Sequence, residues 1–271
     1  MTSPTGWRIV VLGIAQDGGV PHLGCEKGPC AAVRRGERKA EKVACLGVGD
    51  GERAFLFDST PDFSAQIHAI GVRLPHGVFL THAHIGHYTG LVQLGKEVAG
   101  ARGLPVYATP GMKRFLGSNA PWSALLENGN IDVRDNADVD LGGVRVTAID
   151  VPHRNEYADT VGYRIEGPRA KALYIPDIDR WVPWERDLRT LVESVDYAFL
   201  DGTFFSGEEL PGRDMSRVPH PLVPDTMDRL DGLGSKVWFI HLNHTNPLLN
   251  DASPVERRGF HVAREGDVLS I

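Results

Sequence analysis

The sequence predicts an α/β protein, and three observations point there. Short apolar runs of strand length recur along the chain, among them Ile9-Val10-Val11-Leu12, Gly77-Val78-Phe79-Leu80 and Val237-Trp238-Phe239-Ile240. Stretches of helical periodicity separate many of them, some with a start signal such as Ser59-Thr60-Pro61-Asp62. Strand after strand then ends in His or Asp, the place where open α/β layers set their ligands.

The 271 residues are 42% hydrophobic, enough for a substantial core, and no linker, composition break or repeat divides them. One domain over residues 1–271 is the expectation. A net charge of −6 leaves no nucleic-acid footprint, and 24% charged residues is not the composition of a disordered chain. No run approaches the roughly 20 apolar residues of a membrane helix. The start, Met1 to Arg8, lacks the apolar segment of a secretory signal. These features predict a cytoplasmic protein with a small-molecule substrate, no nucleic-acid or membrane partner, and possible homodimer formation. Three cysteines, Cys25, Cys30 and Cys45, are an odd number and argue against a disulfide framework.

Taken in order, Trp7 to Gly13 reads as a strand, and Gln16 to Pro21 as a loop whose paired glycines permit close backbone approach. Cys25 and Cys30 lie five apart with His22 nearby. They read either as ligands of a structural zinc or as two free thiols. The basic stretch from Arg34 to Lys42 is solvated surface. Cys45 to Gly49 and Ala54 to Asp58 form a hairpin around Asp50-Gly51. A helix with a hydroxyl cap and an early Pro follows to about Ile70, where Gly71 ends it; His68 on it is a surface residue rather than a ligand.

Leu91 to Ala101 reads as helix, Pro105 to Ala108 as strand, and Gly111 to Leu116 and Trp122 to Leu126 as short helices. Asn128 to Asp140 reads as an acidic, turn-rich stretch. Strands are expected at Val144 to Ile149, Val161 to Glu166, Ala172 to Ile175, Tyr197 to Leu200 and Val237 to Ile240. Helices are expected at Glu185 to Val195 and Asp225 to Leu230. Phe204 to Pro219 is an irregular segment over the pocket, and Gly259 to Ile271 a closing hairpin-like pair.

The chemistry concentrates at Thr81-His82-Ala83-His84-Ile85-Gly86-His87, where three of the 11 histidines fall within six residues after a buried strand. In an extended loop His82 and His84 face the same side, and His87 reaches an adjacent position. Neutral imidazoles suit zinc, iron or manganese. His153, Asp177, Asp201 and His241 also follow strands. One such Asp is a turn former, but five strand ends on one edge make a metal site the better account.

The motif resembles the His-x-His-x-Asp-His signature of the metallo-β-lactamase superfamily, with Gly86 where that family has Asp. The resemblance to its pyrroloquinoline quinone B-protein branch runs over nearly the whole chain. It covers the Gly-Gly-Val-Pro loop with Cys25 and Cys30, Asp201-Gly202-Thr203-Phe204-Phe205, the Met215 to Pro221 region, and Phe239 through His241 and His244 to Pro247. The phosphonate-pathway cyclic phosphodiesterase and ribonuclease Z are also similar. The B protein has a degraded first motif, whereas this chain keeps all three histidines.

The resemblance implies a four-layer αββα sandwich. It implies one metal on His82, His84 and His153 with Asp177 bridging, and a second on His87, Asp177 and His241, weakened by Gly86. It implies His220 as general acid, with Asp177 as the other catalytic residue. It also implies a structural metal on Cys25, Cys30 and His244, with Lys27 standing where a further cysteine would be. Zn2+ is the expected ion, one or two per chain, with Mn2+ or Fe2+ as alternatives.

Three hypotheses follow: a metal-dependent hydrolase acting on a small phosphodiester, ester or lactone; an iron-dependent oxygenase of the quinone-cofactor type; and a non-catalytic small-molecule binding or carrier protein.

Overall fold

The computed structural model describes residues 6–182, 184, 186–210, 212–214 and 218–271. The first sheet contains β1 (Arg8–Gly13), β2 (Cys45–Gly49), β3 (Ala54–Phe57), β4 (Gly77–Phe79), β5 (Leu104–Ala108) and β6 (Ile131–Asp135). The second contains β7 (Asp138–Asp140), β8 (Arg145–Asp150), β9 (Val161–Glu166), β10 (Lys171–Ile175), β11 (Tyr197–Asp201), β12 (Val237–Ile240) and β13 (His261–Val262). The chain then returns to the first sheet as β14 (Val268–Ser270), giving orders β14-β1-β2-β3-β4-β5-β6 and β13-β12-β11-β10-β9-β8-β7.

Alternation along the strands explains the layering. On β3, Phe55 and Phe57 enter the core between the sheets, with Tyr163, Ile165 and Tyr174 opposite. Leu56, between them, joins a second core with Phe63 and Ile67 of α2 (Phe63–Ile70), Met112 and Leu116 of α4 (Pro110–Ser118), and Leu125 of α5 (Trp122–Glu127). Helices α6 (Leu188–Glu193) and α7 (Val223–Arg229) bury Leu188, Val192 and Met227 against the second sheet. The result is the expected αββα sandwich.

Strand direction fixes the functional edge. β3, β4, β5 and β6 run parallel, and β1 shares their direction because two antiparallel pairings, through β2, separate it from β3. In the second sheet β10, β11 and β12 are parallel, and β8 shares their direction through β9.

Several sequence expectations are corrected. Leu91 to Ala101 is not an α-helix: after α3 (Ile85–Tyr88) the chain makes a 3-10 turn over Thr89–Leu94 and then turns. Gly95 and the positive φ of Gly100 end the regular geometry. The acidic stretch holds β6 and β7, with Ile131 and Val133 buried on either side of the exposed Asp132. The last two strands do not pair with each other; β13 joins β12 and β14 joins β1. Helix α2 starts at Phe63 without a side-chain cap, because Thr60 Oγ1 bonds Gln66 Oε1 and accepts from Asp62 N instead. Glu185 and residues 215–217 lie outside the described residues; α6 begins at Leu188.

Candidate metal centre

At the shared edge, four donor atoms converge from three strand ends, those of β4, β8 and β10. His82 Nε2 lies 2.9 Å from His84 Nδ1 and 3.3 Å from Asp177 Oδ2. His153 Nε2 lies 3.2 Å from both His84 Nδ1 and Asp177 Oδ2. With His84 Nδ1 3.9 Å from Asp177 Oδ2, the separations run from 2.9 to 3.9 Å and bracket the edge of a tetrahedron around an ion bound at 2.0–2.1 Å, about 3.3 Å. His82, His153 and Asp177 are buried, while His84 is half-buried toward solvent.

The far sides of the rings are tethered, which aims their lone pairs inward. Thr81 Oγ1 donates to Asp58 Oδ1 at 2.9 Å, so it accepts from His82 Nδ1 at 3.0 Å. His87 Nδ1 donates to Asp58 Oδ2 at 2.8 Å. His241 Nδ1 lies 3.0 Å from Thr203 Oγ1, and His153 Nδ1 lies 2.9 Å from Asp179 Oδ1. Asp58 escaped the sequence reading, which ended a strand at it and went no further. It is fully buried, and Thr81 N and Tyr174 Oη also donate to it. Tyr174 and Tyr163 pack edge-on to Phe57, so an aromatic core block supports the donors from below.

Asp58, His220 and His241 have φ values of 74°, 95° and 65°, the only positive-φ non-glycine residues among those described. Held in a region that side chains disfavour, they concentrate backbone strain at this edge.

Electrostatics make the pocket receptive to positive charge. Burial disfavours a charged His153, yet the Asp177 carboxylate outweighs it and raises the imidazole to about 10. Burial likewise opposes ionisation of Asp177, but the surrounding imidazoles hold it well below the usual carboxylate range. Burial and the neighbouring His87 push His82 well below its usual value, leaving a neutral ligand-type nitrogen. The donor chemistry, spacing and tethering all fit a divalent metal ion.

His220 joins this centre. Its Nδ1 lies 2.8 Å from Asp201 Oδ2 and 3.2 Å from Asp177 Oδ1. Asp201 also accepts from Ile178 N and Thr203 N, so it is a fixed support for the ring. A cavity of about 250 Å³ opens onto the centre, lined by His84, His153, His220, Arg154 and Arg213. Phe204, Leu210, Val218 and Pro219 also line it, so the described parts of the irregular segment do border the pocket. A neighbouring cavity of about 480 Å³ shares Arg154 and His84 and adds Tyr88, Phe115, Trp122 and Tyr157.

The structure also gathers Cys25, Cys30 and His244, with Cys30 Sγ 3.6 Å from His244 Nδ1. His22 stacks on His244 at 4.4 Å, and its backbone N–H donates to Cys30 Sγ. Burial, with His22 and Lys27 nearby, lowers His244 to about 4, so its imidazole is neutral. Lys27 donates its backbone N–H to Cys25 Sγ. Cys45 stands apart in β2, fully buried.

A third group was not anticipated. Asp17, in the loop after β1, meets His87 and His241, with donor atoms within 4.8 Å of one another. Asp17 follows a strand whose end lies at this same edge, the rule that singled out the other donors.

A family model described as the Beta-lactamase superfamily domain matches residues 53–242. The chain belongs to this superfamily. Over 96% of its length it is 30% identical to the Coenzyme PQQ synthesis protein B of Methylobacillus flagellatus, covering 98% of that protein. The solved structure of Zn(2+)-bound PqqB from Methylobacterium extorquens matches with a TM-score of 0.82 at 26% identity, covering 97% of this chain and all of that one. A diphosphatase of the PhnP family shares the fold, with a TM-score of 0.73 at 21% identity over 98% of this chain and 97% of its own. Among the described residues, no helix is long and apolar enough to cross a membrane.

Proposed function

We propose that the chain is a metal-dependent hydrolase of small anionic esters, with a phosphodiester as the favoured substrate. The observation that carries this reading is the convergence of His82, His84, His153 and Asp177 on one point facing a cavity lined by Arg154 and Arg213. Zinc is the proposed ion, in keeping with the donor set and with the zinc bound by the PqqB relative. Bound there, a divalent metal supplies Lewis acidity and a water acidic enough to be a nucleophile near neutral pH.

The protein's own groups do the rest. Arg154 and Arg213 hold the anionic group and orient the scissile bond toward the histidines. The aromatic wall of Tyr88, Phe115, Trp122 and Tyr157 receives the remainder of the substrate. Asp201 accepts from His220 Nδ1 and leaves Nε2 to give a proton to the departing oxygen. Water's oxygen forms a bond to phosphorus as the phosphorus–oxygen bond to the leaving alcohol breaks; one proton ends on that alcohol, and the other is released, leaving a phosphomonoester.

The test is turnover of an aryl phosphodiester by zinc-loaded protein. Hydrolysis that disappears in His84→Ala and falls sharply in His220→Ala is expected. No turnover of any phosphodiester, carboxylic ester or lactone by metal-replete protein would sink the reading. Iron as purified, with oxygen uptake on substrate addition, would favour the oxygenase instead.

A further inference from the structure

Gly86 and Asp17 are 69 positions apart in sequence yet occupy one space. A Cβ built on Gly86 would fall 2.3 Å from Asp17 Oδ1 and 2.7 Å from Asp17 Cα. Any side chain at 86 would therefore displace the Asp17 carboxylate and its backbone. The bare glycine is what lets the loop after β1 bring an acid to this point.

That acid faces two imidazoles with nothing else to do. Asp17 Oδ1, His87 Nε2 and His241 Nε2 are all buried without a hydrogen-bond partner. His87 and His241 are both fully buried. An unpartnered buried polar atom is costly, and three facing one another call for an explanation. Direct hydrogen bonding is not it: His87 Nε2 and Asp17 Oδ1 are 3.6 Å apart, too far for a good N–H···O bond. It is close to the spacing of two ligands on one ion.

Both rings are already oriented for that role. Asp58 takes the Nδ1 proton of His87, and Thr203 sits at Nδ1 of His241, leaving the Nε2 lone pairs turned toward Asp17. Asp177 Oδ2 is 3.9 Å from His241 Nε2 and can complete the set as a shared ligand. The Asp17 loop is held to the strand end that carries His241. Gln16 N donates to Leu242 O at 2.9 Å, and Leu242 N donates to Ile14 O at 2.8 Å. Gly19, with φ 67°, then turns the chain away, its N–H bonded to Gln16 O.

We propose that Asp17 is the carboxylate ligand of a second divalent-metal site, completed by His87, His241 and Asp177, and that it substitutes for the side chain missing at position 86. The second position is therefore not a weakened site. It is a full one whose acid arrives from another part of the chain. Two nitrogens and two carboxylate oxygens suit zinc or manganese. The inference rests on the metal-site reading but not on any reaction.

The experiment counts metal rather than turnover. Protein with Cys25→Ser and Cys30→Ser, to silence the thiol cluster, is loaded with zinc, dialysed and analysed for zinc per chain. A parallel manganese(II) loading is followed by electron paramagnetic resonance. Two equivalents and a spin-coupled manganese pair are expected. Asp17→Asn should retain one equivalent, bind the second at least about 100-fold more weakly, and show an uncoupled signal.

Gly86→Ala alters no donor but evicts Asp17, so it should lose the same equivalent. Circular dichroism of each metal-free variant establishes that it is folded. Two equivalents retained in both variants would overturn the proposal, as would a single equivalent in the parent. A protein that binds two metals but hydrolyses nothing would leave this inference standing and remove the hydrolase reading.

Discussion

The strand-edge centre and the cysteine cluster are both donor sets, but they are built in different ways. The edge donors sit just beyond rigid strands and are mostly buried; Thr81, Asp58 and Thr203 tether the far sides of His82, His87 and His241, and Asp179 lies in ion-pair contact with His153. The cysteine cluster hangs on a loop and the short helix α1 (Gly28–Arg34); it brings three donors and has Lys27 beside them. The lesson is that preorganisation comes from the sheet. A site on strand ends can be assembled before a ligand arrives, whereas a loop site depends more on the ligand to order it.

That contrast can be broken most forcefully at Asp177. Asp177→Ala is expected to strip metal from the edge and abolish hydrolysis while leaving thiolate-bound metal in place. Cobalt substitution reads this directly, since the thiolate charge-transfer band should persist. Its loss would mean that the two regions are not independent.

Next in size is Asp58, which supports the centre without facing the cavity. Asp58→Ala leaves His87, Thr81 and Tyr174 without their buried acceptor. It should cost about 3–5 kcal/mol in urea unfolding, with Asp58→Asn costing less. A cost below about 1 kcal/mol would show that the tethers are not what organises the edge.

If the cysteine cluster holds a metal, Cys25→Ser should lower the metal content by that equivalent and leave turnover of the aryl phosphodiester unchanged. A large fall in turnover would show that the loop site positions the edge through the short link from His241 to His244.

The smallest effect concerns Glu209, in the segment between the two regions. Burial raises it to about 7 from 4.5. Its Oε1 accepts from the Phe205 and Ser206 amides, and its backbone oxygen faces Thr245 Oγ1. Because the folded-state value lies above the unfolded one, the folded chain holds the extra proton between pH 4.5 and 7. Stability from this group is thus lost as pH rises through that window. Glu209→Gln keeps the acceptor and removes the titration. It should gain stability relative to the parent at pH 8 compared with pH 5, measured by denaturant midpoints. An equal difference at both pH values would contradict this.

Much of the fold was legible because strands buried on both faces read as plain apolar runs, as in β12, and because turn residues mark their ends. Edge strands were harder. β6 carries alternate charges and reads as turns, although Ile131 and Val133 keep the two-residue period that marks a half-exposed strand. The apolar residues after the histidine loop suggested a long helix, but Leu91 and Leu94 are buried from a 3-10 turn instead. Periodicity over so few residues does not separate the two geometries.

The sequence by itself determined the donor types and their setting: histidines and acids beyond strands, and a cysteine pair with a distant histidine. Local spacing dictates these, because a strand end exposes its next residue at the sheet edge whatever the rest of the chain does. Only the tertiary structure decided which ends meet. It brought Asp58 beneath His87, divided the last two strands between sheets, and seated Asp17 in the space left by Gly86. Those outcomes depend on strand order and on the close packing of backbones far apart in sequence, and no local pattern of residues encodes either.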